Sequence, residues 1–118
     1  MPEEVSISES RKYINIRSFG KLSVDELKKA IREVMRVHQE HGIAKVIVDA
    51  TQRDMLPTFI EVLEGAKYLG EMTKGKIKFA IIVRNNPSDH GLFREAALLH
   101  QAQISYFDNY ESAMKWLE

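Results

Sequence analysis

Cysteine is absent from the chain, which excludes disulfides, thiolate nucleophiles and zinc sites built on sulfur. Net charge is absent as well, since seventeen Lys and Arg side chains cancel seventeen Asp and Glu. A balanced domain projects no overall field to draw in nucleic acid or an anionic membrane. Long apolar runs are missing. The longest, Phe79 to Val83, falls far short of the roughly 20 residues that a membrane-spanning helix needs, so no membrane insertion is expected. Glycines are few, and Gly65, Gly70 and Gly75 form no phosphate-binding loop. No Gly-x-Ser-x-Gly marks a nucleophile elbow. The amino terminus, MPEEVSISES, is acidic and lacks an apolar stretch, which reads against a signal peptide. A chain of 118 residues is then expected to form one cytoplasmic domain, residues 1–118.

The patterns that are present alternate between two periods. Val5 and Ile7 alternate with polar residues, Ser10-Arg11 reads as a turn, and Tyr13 to Phe19 alternates again with Ile14 and Ile16 on one face. This predicts an antiparallel hairpin with one wetter face. Ser23-Val24-Asp25-Glu26 is a capping box, followed at helical spacing by Leu27, Ile31, Val34, Met35 and His38, and closed by Gly42. Lys28, Arg32 and Arg36 line the other side and read as a solvated face. Val46, Ile47 and Val48 form a run typical of a strand covered on both faces, with Asp49 at its carboxyl end. A polar loop leads to Pro57, placed at the first position of a helix. That helix is predicted to run to about Met72, with Phe59, Val62, Leu63, Ala66 and Leu69 inward, and to end at Thr73-Lys74-Gly75. Phe79 to Val83 is a further strand. A helix over 89–101 is expected to turn Phe93, Ala96, Ala97 and His100 inward. Gln103 to Phe107 is the last strand, and Asp108-Asn109-Tyr110-Glu111 reads as a second capping box before a helix with Tyr110, Ala113, Met114 and Leu117 inward. The order is β-β-α-β-α-β-α-β-α. Strands separated by helices run parallel, so the fold class is α/β, a mixed five-stranded sheet with one antiparallel edge and flanking helices.

Function in such sheets tends to lie where strands end and helices begin. Asp49, Thr51, Asp54 and Thr58 are offered to that crevice. Asp49, Asp89 and Asp108 each follow a predicted strand and could together hold Mg²⁺, although helix caps require Asp89 and Asp108 in any case. No metal or cofactor is assigned. Of the histidines, His38 and His100 fall on apolar helix faces as hydrogen-bonded core residues, and neither they nor His41 and His90 find a catalytic partner. Thr58, in the first turn after Pro57, is where a phosphate would meet free N–H groups and the positive end of a helix dipole.

The element order, with Lys45-Val-Ile-Val-Asp49 leading through a loop into a helix, resembles the STAS family of anti-sigma-factor antagonists and sulfate-transporter cytoplasmic domains. The closing Tyr110-Glu-Ser-Ala113-Met-Lys-Trp116-Leu117 resembles the ending of small bacterial SpoIIAA-like proteins, a branch that shares features with Sec14-type lipid-binding domains. The resemblance implies a SpoIIAA-like STAS fold. In regulatory antagonists the phosphorylated serine follows the strand aspartate by nine residues, which here reaches Thr58; their Asp-Ser-x-Gly is replaced by Pro57-Thr58-Phe59-Ile60. A non-enzymatic module is expected, bound to a protein partner or to a second copy as a homodimer. Its contact surface would be the loop from Ala50 to Leu56 with the start of the next helix: Met55, Leu56 and Phe59 as apolar anchors, Arg53 and Asp54 at the rim. The alternative is a carrier of a small apolar or lipid-like ligand, lined by helices rich in Phe59, Leu63, Leu92, Phe93, Leu98 and Leu99.

Overall fold

The computed structural model describes residues 3–53, 58–84 and 91–118. Within them the order is β1 (Glu3–Ile7), β2 (Ile14–Gly20), α1 (Val24–His41), β3 (Lys45–Arg53), α2 (Phe59–Thr73), β4 (Lys78–Ile82), α3 (Gly91–Leu99), β5 (Gln103–Phe107) and α4 (Tyr110–Leu117). The strands form one sheet in the order β1-β2-β3-β4-β5. β1 pairs antiparallel with β2 and every later pair is parallel, so the expected mixed sheet with one antiparallel edge is what forms.

Sequential strands joined by helices place each crossover on the same side when the sheet grows in one direction. The core shows this. Val46 and Val48 of β3, Phe79 and Ile81 of β4 and Ile104 of β5 pack in one cluster with Ile31 and Val34 of α1, Ala66 and Leu69 of α2, and Ala96 and Ala97 of α3. Among the described helices α4 alone covers the opposite face, where Ile47, Ala80 and Ile82 bury Ala113 and Leu117. β3 is therefore buried on both sides, which is why it reads as an apolar run without alternation.

Local chemistry sets the boundaries. The Ser23 hydroxyl accepts from the Glu26 N–H at 3.1 Å, and Gly42 closes α1 with a left-handed φ of 71°. His38 is half-buried with Nδ1 2.9 Å from the Ile43 carbonyl, a helix-end histidine held by the chain that follows it. The basic stripe of α1 is spent on its neighbours. Lys28 lies 5.4 Å over the Tyr68 ring, Arg32 donates to the Tyr68 hydroxyl, and Arg36 donates to Glu33 and Glu40.

Three details differ from the sequence reading. His100 is exposed just beyond α3 instead of facing inward. Asn109, not Asp108, caps α4, its Oδ1 accepting from the Ser112 N–H at 2.8 Å, and Glu111 stays exposed. Tyr110 consequently stands half-exposed, and Trp116 packs in its place against Phe107 at 5.9 Å between ring centroids.

α2 touches the turn that follows α3 through backbone. A Cβ at Gly70 would lie 2.3 Å from the His100 carbonyl oxygen and 2.4 Å from its Cβ. Gly70→Ala must push α2 away from the turn after α3, at a cost of about 1–3 kcal/mol. A urea unfolding curve should show the lower midpoint; an unchanged midpoint would mean that the contact is soft.

Candidate functional site

The predicted site divides between the two faces of the sheet. β3 does not end at Asp49. It continues to Arg53, because β2 keeps supplying hydrogen-bonding partners: after a register shift between Arg17 and Phe19, Phe19 stands beside Gln52 and Gly20 beside Arg53. Ala50, expected to open a loop, is buried within the strand. Arg53 is its last residue. Asp54, Met55, Leu56 and Pro57 lie outside the described residues, as do Ser88, Asp89 and His90.

Asp49 is two residues beyond Ile47 and so shares the face covered by α4. Its Oδ1 accepts from both the hydroxyl (2.6 Å) and the N–H (3.1 Å) of Thr51, a local turn-like clamp made inside a strand. Beside it in register on β2 stands Arg17, whose guanidinium lies 5.2 Å over the Phe19 ring. Tyr110, from the first turn of α4, completes the group. Burial raises the Tyr110 phenol above its ordinary value, the Asp49 carboxylate adds to that, and Arg17 opposes it. Arg17 and Tyr110 were not singled out from sequence, because only the pairing of distant elements brings them to Asp49.

Thr58 belongs to the other side, where α2 packs. It is the N-cap itself and not a first-turn residue: its backbone is extended and its hydroxyl accepts from the Glu61 N–H at 3.1 Å. A signal for this exists in the chain, since Thr58-Phe59-Ile60-Glu61 has the Thr-x-x-Glu form of a capping box. The Glu61 carboxylate thus sits in the first turn, and its Oε2 is buried with no hydrogen-bond partner. Phe59, expected inward, is 62% exposed, and Ile60 after it is 77% exposed. Phe59 and Ile60 of the first turn are left uncovered while Glu61 behind them is half-buried, so helical spacing alone does not decide which side is buried. Leu63 and, on α3, Leu92, Leu98 and Leu99 are exposed as well.

A shallow open hollow of about 210 Å³ lies on the outer side of the α2–α3 seam, lined by Gly70, Glu71, Lys74, Leu99, His100 and Gln101. The space between the sheet and these helices, where a carried ligand would sit, is filled by Val48, Ala66, Leu69, Ile81 and Ala97, all buried. Nothing there favours the carrier reading. Among the described residues no three His, Asp or Glu stand together as a metal site, and no helix is long and apolar enough to cross a membrane.

No family model matches the chain, and no curated protein matches it in sequence. Solved structures do match in shape. An uncharacterised protein of the DUF3478 family from Shewanella loihica PV-4, described as having a SpoIIAA-like fold, superposes with a TM-score of 0.64 at 20% identity, covering 98% of this chain and 92% of that one. The anti-sigma factor antagonist SpoIIAA in its unphosphorylated form gives 0.62 at 13% identity over 96% and 94%. The fold is SpoIIAA-like. The Bacillus cell fate determinant SpoIIAA in its phosphorylated form gives 0.52 at 14% identity over 98% and 99%. The SpoIIAA-like fold thus spans nearly the whole of this chain, as the sequence resemblance implied.

Two measurements check the geometry on either face. Thr58→Ala removes the cap of α2 and should cost about 1 kcal/mol of stability, read from chemical unfolding. Asp49→Asn keeps the shape and the Thr51 clamp but removes a charge, so the Tyr110 pKa, followed by NMR, should fall. Arg17→Gln should move it up.

Proposed function

We propose that this protein is a non-enzymatic regulatory module that acts by binding a protein partner at the start of α2. The observation that carries this is the exposure of Phe59 and Ile60 directly after the Thr58 cap. Scattered apolar side chains on a surface mean little, but adjacent large ones beside further exposed leucines mark a contact site. Apolar anchors at the centre of an interface supply much of its affinity. Leu63 extends the surface along α2, and the segment from Arg53 through Asp54, Met55 and Leu56 leads into it along the chain. The SpoIIAA-like fold supports a regulatory reading, because structures of SpoIIAA include an anti-sigma factor antagonist and both its phosphorylated and unphosphorylated forms.

Thr58 is the residue of this surface suited to modification. A phosphate on its hydroxyl would meet the free N–H groups of the first turn of α2. It would also face the Glu61 carboxylate, so modification would displace the existing cap and alter the charge of the surface by nearly two units. Asp49 and Thr51 are clamped to each other on the other face of the sheet and are not part of the contact.

The test compares wild type with Ile60→Asp. A protein captured from the native cells by the wild type is purified, and its affinity for both forms is measured by calorimetry. Ile60→Asp should weaken binding at least tenfold, about 1.4 kcal/mol, while the melting temperature stays close to that of the wild type. Equal affinity for the two forms would overturn the assignment.

A further inference from the structure

Charge that cancels over the whole chain is divided between the two ends of the sheet. At one end lie the first turns of α1, α2 and α4, which carry Asp25, Glu26, Glu61 and Glu111. At the other end, the turns and strand starts over 8–13, 43–45, 74–78 and 100–103 carry Arg11, Lys12, Lys45, Lys74, Lys76 and Lys78 against Glu9 alone.

Two of these cations are set apart by where they stand. Lys45 and Lys78 are neighbours in register on β3 and β4, and paired strands lie about 4.8 Å apart. Each comes two residues before a member of the small cluster, Ile47 or Ala80, so both stand on the face that α4 covers. Both are half-buried. Tyr13 flanks the pair: it precedes Ile14, which stands beside Val46, and it packs on the same small cluster. Lys78 Nζ lies 5.3 Å over the ring of Trp116, near the end of α4.

Cations on the helices are matched by carboxylates: Lys28 by Glu64, Arg36 by Glu33 and Glu40, Lys67 by Glu71 and Lys115 by Glu111. Among the described residues neither Lys45 nor Lys78 has a carboxylate at ion-pair distance. Like charges side by side on a sheet destabilise it. The end of α4 offers about half a unit of negative charge, which leaves the pair net positive.

We infer that Lys45 and Lys78, with Tyr13 and Trp116 beside them, form a binding site for a phosphoryl group. Lysine holds phosphate as a point charge. A phosphate monoester carries nearly two negative charges on one compact group, which matches the pair where a single carboxylate would not. The same dianion is presented by a small soluble phosphate ester and by a lipid headgroup. This site is independent of the contact at the start of α2, which lies at the opposite end of the sheet.

Trp116 is the only tryptophan of the chain and reports on the site directly. When inorganic phosphate replaces sodium chloride at constant ionic strength, its emission should change saturably. Lys45→Gln leaves the cation over Trp116 in place and should weaken the response roughly tenfold or more. Lys45→Arg keeps the charge and should restore it, which a mere loss of folding in the glutamine variant would also allow; a urea midpoint close to that of the wild type excludes that explanation. Lys67→Gln, at an ion pair on α2, should bind as the wild type does. Cosedimentation with phosphatidylcholine vesicles containing phosphatidic acid, lost in Lys45→Gln, would assign the group to a headgroup, and a response to soluble phosphate alone would assign it to a small molecule. No saturable response to either probe would overturn the inference. Equal affinity in Lys45→Gln, or equal weakening by Lys67→Gln, would do the same.

Discussion

Burial of β3 on both faces is the constraint from which the other elements take their places. Val46 and Val48 require a layer of helices on one side, and Ile47 requires something apolar on the other. Three crossovers in one direction put α1, α2 and α3 on the first side. They leave the second side bare, and α4 exists to cover it. Ala113 and Leu117 fully bury themselves there against Ile47, Ala80 and Ile82. The small residues do as much as the large ones. Ala80 and Ala113 let α4 lie close to the sheet, while Ala66, Gly70, Ala96 and Ala97 let α2 and α3 lie close to each other and to the core.

The reach of α4 is limited, and that limit creates the polar group around Asp49. α4 covers β4 and the middle of the sheet, so the same face of β1 and β2 is left to water. Glu4, Arg17 and Asp49 stand in register there across three strands. At the end of the covered region Tyr110 is neither buried nor free, which is why its phenol responds to both Asp49 and Arg17. A carboxylate so placed, with one oxygen already taken by Thr51, is better explained as the finish of a half-covered sheet than as a reacting group.

Most of the fold was legible in the sequence because its signals are local. Strand alternation in β2, the unbroken run in β3, the Ser23 cap and the Gly42 stop each depend on residues within one element. The misreadings share a different cause. The length of β3 depends on how far β2 accompanies it, and a bulge at Arg17–Phe19 is invisible in either strand alone. The exposure of Phe59, Tyr110 and His100 depends on whether a helix end overhangs the layer below, which periodicity does not report. The candidate residues Asp49 and Thr58 part for the same reason. Asp49 and Thr58 are nine residues apart in sequence, yet the face of a strand and the side taken by the next helix decide separately where each one goes. The Thr58 cap was the exception, a local signal present in Thr-x-x-Glu form and overlooked beside Pro57.

The surface left over is uneven in a way that bears on function. α1 dresses its outer side with ion pairs, Arg36 with Glu33 and Glu40, and fixes Lys28 and Arg32 on Tyr68 and Glu64. α2 and α3 do not. Among the described residues every large exposed apolar side chain except Tyr110 lies on these two helices. Folding does not require this, because the core is already complete beneath them with Ala66, Leu69, Ala96 and Ala97. Polar residues at Phe59, Ile60 or Leu99 would leave that core intact. Apolar side chains held in water without a folding role carry a cost in solubility. An interaction offsets that cost, and the α2–α3 layer is where this SpoIIAA-like fold has room for one.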